Sequence, residues 1–106
     1  MTRILYSKTG TIIENECIYG NILITGTGHL TIQGNIEVGG NGTLTVEAGG
    51  DLIIDGGTIS NVDLDLKPGA TLRIINNGIL EARHAFTTPI GAVVEIRHGK
   101  IIPTPF

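Results

Sequence analysis

Apolar and polar residues alternate along this chain in short bursts, each opened by a glycine: Gly28-His29-Leu30-Thr31-Ile32, Gly42-Thr43-Leu44-Thr45-Val46, Gly50-Asp51-Leu52-Ile53-Ile54 and, one residue longer, Gly69-Ala70-Thr71-Leu72-Arg73-Ile74. Strict alternation over about five residues predicts a half-buried strand, and the glycine marks the turn before it. The bursts also repeat. Ile22 precedes Leu44 by 22 residues, Leu44 precedes Leu72 by 28, and Leu72 precedes Val94 by 22. Leu30, Leu52, Leu80 and Ile102 take the same steps, and Ile24, Val46, Ile74 and Ile96 follow the first set two residues on.

A fixed period in this range with glycine-rich corners is the signature of a solenoid whose coils bury their apolar faces only against each other. Within one coil the inward pairs are Ile22/Ile24, Leu30/Ile32 and Ile36/Val38, which gives three strands per coil. The expected fold class is therefore all-β: a single-domain, right-handed parallel β-helix (solenoid) with three short strands per coil and a period of about 22 residues. The hand follows from the general crossover preference. The steps of 28 imply a six-residue insertion. With a third column running from Ile36/Val38 to Leu64/Leu66 and on to Phe86, the insertion falls near residues 56–62, with Gly56 to Asn61 as the bulging loop or Ile59 in a strand and the bulge nearer Val62. Corners should stack too, with Gly20, Gly42, Ala70 and Ala92 in one column and Gly28, Gly50 and Gly78 in another. Asn41, Asn76 and Asn77 read as turn formers, since asparagine tolerates the left-handed region.

The ends depart from the period. Ile4, Leu5, Tyr6, Ile12, Ile13, Ile18 and Tyr19 miss the 22-residue register, so residues 1–19 are expected to form an N-terminal cap or irregular coil, with the β-helix over 20–106. At the other end Ile101-Ile102-Pro103-Thr104-Pro105-Phe106 inserts prolines into the next strand position, which removes ladder donors and suits a proline-rich C-terminal cap. Open ladder edges at the N-terminal end make self-association, or stacking on adjacent β-helix coils, the expected contact there.

Composition supports this and excludes several function classes. Ile, Val and Thr supply 36 of the 106 residues and Gly another 16, which leaves no stretch for a long helix. Seven basic residues, scattered singly, against ten acidic ones leave no phosphate-binding footprint, so nucleic acid is not an expected partner. No apolar run is long enough for a membrane span and the first twenty residues lack a signal-peptide core, so the chain as it stands reads as soluble and unexported. The single cysteine, Cys17, reads as a small buried apolar residue.

The motifs Gly42-Thr43-Leu44-Thr45-Val46, Gly49 to Asn61 and Pro68-Gly69-Ala70-Thr71-Leu72-Arg73-Ile74 resemble the repeats of secreted bacterial and cell-surface parallel β-helix proteins, over roughly Gly20 to Ile102. The resemblance implies a non-catalytic structural or adhesive module of a larger exported protein, placed outside the cell or on its surface, with a glycan or protein ligand. A more distant resemblance is to bactofilins, β-helices that polymerise end to end. A carbohydrate-binding or polysaccharide-processing domain is the alternative.

Outward positions on the strands are where chemistry would lie. The 28-residue step sets Asp55 beside Arg83, the 22-residue step sets Arg73 beside Glu95, and both read as ordinary surface ion pairs. The same register gathers Glu37, Asp63, Asp65 and Asn35 into an acidic patch, which could offer oxygen ligands to calcium but lacks a loop to wrap the ion, and Lys67 or Arg83 would be the basic residue beside it. His29, His84 and His98 read as surface residues without a Ser, Cys or Asp partner. No catalytic, cofactor-binding or metal-ligating residue is assigned, no cofactor is expected, and the chain is expected not to be an enzyme.

Overall fold

The computed structural model describes residues 2–6, 9–12, 15–39, 42–82 and 89–102. It is an all-β, parallel β-solenoid of about 4 turns, with coils roughly 21 residues apart. Its strands are β1 (Thr2–Tyr6), β2 (Thr9–Ile12), β3 (Glu16–Ile24), β4 (His29–Ile32), β5 (Asn35–Gly39), β6 (Thr43–Val46), β7 (Asp51–Asp55), β8 (Thr58–Leu66), β9 (Thr71–Ile75), β10 (Ile79–Ala82), β11 (Val93–Arg97) and β12 (Lys100–Ile102).

Three parallel ladders make three faces. The first stacks β1, the second half of β3, β6 and the second half of β8. The second stacks β2, β4, β7, β9 and β11. The third stacks the first half of β3, β5, the first half of β8, β10 and β12. β3 and β8 are nine residues long because each runs from the third face onto the first. Each bends through one residue of positive φ, Gly20 at 103° and Asn61 at 61°. Glycine reaches that region without steric cost, and asparagine is among the few other residues that tolerate it.

On the first two faces the 22-residue steps hold: Ile22 neighbours Leu44, Leu30 neighbours Leu52, and Leu72 neighbours Val94. The 28-residue steps do not. Leu44 neighbours Leu64 and Leu52 neighbours Leu72, each 20 residues on. A step of 28 is one coil of 20 plus the eight residues from Leu64 on the first face to Leu72 on the second, so it joins like motifs on different faces. No six-residue insertion exists near 56–62, because residues 58–66 are strand β8 and Ile59 is a core residue below Ile36. On the third face Leu80 lies below Ile59 and above Ile101, a step of 21, so the expected 22-residue step from Leu80 to Ile102 fails as well and Ile102 points outward, 44% exposed. The expected neighbour of Leu64, Phe86, lies outside the described residues.

The corner columns are corrected by the same shift. Thr71 donates its N–H to the Gly50 carbonyl at 3.0 Å and Val93 to that of Ala70 at 2.9 Å, so Gly50, Ala70 and Ala92 stack. Asp63 donates to the Gly42 carbonyl at 3.2 Å, and Ile79 to that of Gly57 at 2.9 Å. Thus Gly42 is followed by Val62, and Gly78 lies below Gly57. A side chain on Gly57 would place its Cβ 2.5 Å from the Gly34 carbonyl oxygen, which is why this corner admits no larger residue. Asn76 and Asn77 do form a left-handed turn, at φ of 53° and 68°, and Asn77 donates its N–H to the His98 carbonyl. Asn41 lies outside the described residues.

In the N-terminal segment, expected to be a cap or irregular coil, β1 and β2 continue two of the ladders. Ile4 neighbours Ile22 at a step of 18, while Gly10 neighbours Leu30 and Ile18 neighbours Val38 at steps of 20. Shorter, unequal steps hide this coil from a fixed period. Residues 103–106, including Phe106, lie outside the described residues. Among the described residues every side chain of the buried core is apolar, from Ile18 to Ile101. Outward positions alternate with it along β4 to β9, as a strand's two-residue period requires.

Candidate functional site

With the core this uniform, chemistry belongs to the outward rows, and the register decides which side chains meet. The acidic patch does not assemble. Glu37 neighbours Ser60 on the third face, while Asp63 and Asp65 neighbour Thr43 and Thr45 on the first. The 28-residue step had carried residues 35 and 37 across a corner. Asp65 instead meets Lys67 Nζ at 3.0 Å. Among the described residues, no three His, Cys, Asp or Glu side chains come together as a metal ion would need.

On the second face the polar side chains are tied from coil to coil. Arg73 and Glu95 are neighbours as expected, with Nε 3.8 Å from a carboxylate oxygen, and Arg97 approaches the other oxygen at 2.8 Å. Asp55 neighbours Ile75 rather than Arg83, which lies outside the described residues. Its carboxylate accepts from Gln33 Nε2 at 3.3 Å and Asn76 Nδ2 at 2.6 Å. His29 does have an acid partner: its Nδ1 donates to Asp51 Oδ2 at 2.6 Å across the rung below. The step is 22 residues, so the rule that paired Leu30 with Leu52 already contained this contact. His84 lies outside the described residues, and His98 is exposed at a corner with φ of 56°.

Cys17 is exposed, not buried. It precedes the core residue Ile18 and neighbours Glu37, so strand parity turns it outward. There it enters a shallow open groove on the third face lined by Asn15, Cys17, Asn35, Glu37, Thr58 and Ser60. Two rows form it. Asn35 neighbours Thr58, and Cys17, Glu37 and Ser60 follow one another on successive coils. Asn15 closes the first row by accepting the Asn35 backbone N–H at 3.1 Å. The floor is set by β8 as it turns: Ser60 Oγ donates to the Ile36 carbonyl at 3.3 Å and Asn61 Nδ2 to the Val38 carbonyl at 2.8 Å. Sequence reasoning missed this groove because it took Cys17 as core and Gly56 to Asn61 as a loop.

Compared with models of known families, with curated proteins and with solved structures, the chain finds no match. Among the described residues no helix is long and apolar enough to cross a membrane.

Proposed function

We propose that the chain is a non-catalytic structural or adhesive β-helix module of a bacterial surface or secreted protein, the biological setting coming from the repeat resemblance alone. The observation that carries the structural reading is the coil-to-coil tying of the outer faces over connections that, where they consist wholly of described residues, are two to four residues long. β3 to β4, β6 to β7 and β8 to β9 are each joined by four residues, and β4 to β5 and β7 to β8 by two. Such turns hold coils in register and build no wall around a substrate. The carboxylates Asp51, Asp55 and Glu95 each meet a donor or cation on a neighbouring coil, which fits holding coils together better than acid–base chemistry, and Asp65 meets Lys67 within its own coil. In the described ladders β1 and β2 are bonded on one side, and the partner that such an edge fits is a further coil, from a second copy or a parent chain.

The test is incubation of the chain with soluble neutral and acidic polysaccharides, followed by measurement of new reducing ends. None above blank is expected. Release that disappears with Asp63→Ala or Asp65→Ala overturns the non-catalytic reading.

A further inference from the structure

We infer that the corner joining β11 to β12 holds a tetrahedral oxyanion of the phosphate or sulfate kind. The inference goes beyond the structural and adhesive reading above and does not rest on it. Of the six basic side chains that the structure describes, four are committed: His29 to Asp51, Lys67 to Asp65, and Arg73 and Arg97 to Glu95. The other two, His98 and Lys100, meet no carboxylate among the described residues, and both line one groove at this corner. The register builds that groove. Asp55, Ile75 and Arg97 follow one another on successive coils, and so do Thr58, Ile79 and Lys100. Between these two rows the upper and lower coils carry two residues, Gly56-Gly57 and His98-Gly99, while the coil between them carries three, Asn76 to Gly78. The wider corner therefore stands over the narrower one, with Asn77, Gly78 and Ile79 above and His98, Gly99 and Lys100 below.

Donors converge on this groove. The Asn77 N–H is taken by the His98 carbonyl and the Lys100 N–H by the Gly78 carbonyl, at 3.1 Å for the second. The successive backbone N–H groups of His98 and Gly99 find no acceptor among the described residues. His98 is left-handed, at φ of 56°, and successive N–H groups at a turn of that kind form a concavity suited to an anion. Gly99 has no side chain to cover them, and a Cβ there would come 2.5 Å from Ile74 Cγ2. The Lys100 ammonium, the His98 imidazole and the Asn77 amide add donors from the side chains. The carboxylates on the strands that meet here do not line the groove: Asp55 accepts from Gln33 and Asn76, Glu95 is held by Arg73 and Arg97, and Glu81 stands at the next outward position beyond Ile79. With a net charge of −3, these carboxylates oppose a long polyanion such as a nucleic acid. A carboxylate ligand is the poorer fit, because its planar pair of oxygens matches a guanidinium fork, and among the described residues none lines the groove. A tetrahedral anion accepts from several sides at once, and a lysine serves it as a point charge.

Amide resonances of the isotopically labelled chain report the site directly. Inorganic phosphate, sulfate, phenyl phosphate and acetate are titrated in separate series at fixed pH and ionic strength. Phosphate and sulfate should shift the His98, Gly99 and Lys100 amides together along one saturable curve, and acetate should bind far more weakly. Lys100→Gln should weaken the binding about tenfold, as loss of a hydrogen bond to a charged group does. His98→Gly keeps the left-handed backbone and should weaken it less, while Lys67→Gln, away from this corner, should leave it unchanged. Melting curves verify each fold, and where a variant unfolds the titration of the unaltered chain decides alone. Phenyl phosphate shifting the same amides supports a site for the end group of a larger molecule, and inorganic anions acting alone support a site for the free ion. Shifts that do not saturate, that acetate reproduces, or that persist at full strength in folded Lys100→Gln overturn the assignment and leave the structural reading standing.

Discussion

Leu52, Leu72 and Val94 stand in one column, yet the first two are sealed from solvent while Val94 is only partly buried. Ile74 and Ile96 repeat the contrast in the next column, with Ile74 fully buried and Ile96 43% exposed. All are apolar residues at inward positions of correctly registered strands. What separates them is the coil on the far side. A solenoid residue is covered by the coils above and below it, so register fixes which side chains align while depth within the stack fixes how much burial each one gains. The middle coils therefore hold the stability, and the last described coil has the least to lose.

The largest expected effect breaks that contrast at its strongest point. Leu72→Ala removes a fully buried side chain packed between two coils and should cost about 2–5 kcal/mol, enough to unfold a domain of this size. Val94→Ala, at the same column one coil on, should cost roughly half as much or less, because part of its surface is already in water. Denaturant melts of the two variants measure the gap, and equal losses would show that the last coil is as well covered as the middle.

Next comes a corner. Gly57→Ala drives a methyl group against the Gly34 carbonyl oxygen of the coil above, and overpacking of this kind should cost about 1–3 kcal/mol. Ile96→Ala should cost less, roughly 1 kcal/mol, because its side chain is partly in water. Hydrogen exchange should rank the same way, with β11 amides opening below the global stability and β7 and β9 amides opening with it.

The register was legible only as far as like steps joined like faces. Ile22 to Leu44, Leu30 to Leu52 and Leu72 to Val94 are true coil steps, and the parallel β-solenoid follows from them. Leu44 to Leu72 misled because Gly-x-Leu-x-Ile recurs on two faces of this chain, so spacing alone cannot tell a coil of 28 from a coil of 20 followed by a side of eight. Everything hung on that step moved with it, from the supposed insertion to the meeting of Glu37 with Asp65. The groove was hidden for a related reason: coil steps of 20 from Cys17 to Glu37 and 23 from Glu37 to Ser60 bracket the period without equalling it. His29 and Asp51 were within reach, since the pair follows from the Leu30 to Leu52 step by moving one residue toward the N terminus.

That pair supplies the smallest effect and the finest probe of how coils are tied. His29 and Asp51 face each other at 2.6 Å on adjacent rungs, but both side chains remain in contact with water, 46% and 31% exposed. An interaction of that kind is screened and loses side-chain entropy as it forms, so a double-mutant cycle through His29→Ala and Asp51→Ala should give a coupling of about 0–1 kcal/mol. Raising ionic strength should reduce any charge–charge share of that coupling. The Leu30 to Leu52 contact directly behind it is shared by the same two strands, and there Leu52→Ala should cost several times the whole coupling. A coupling well above about 1 kcal/mol would place the outer rows, not the apolar column, among the forces that set the register of β4 on β7.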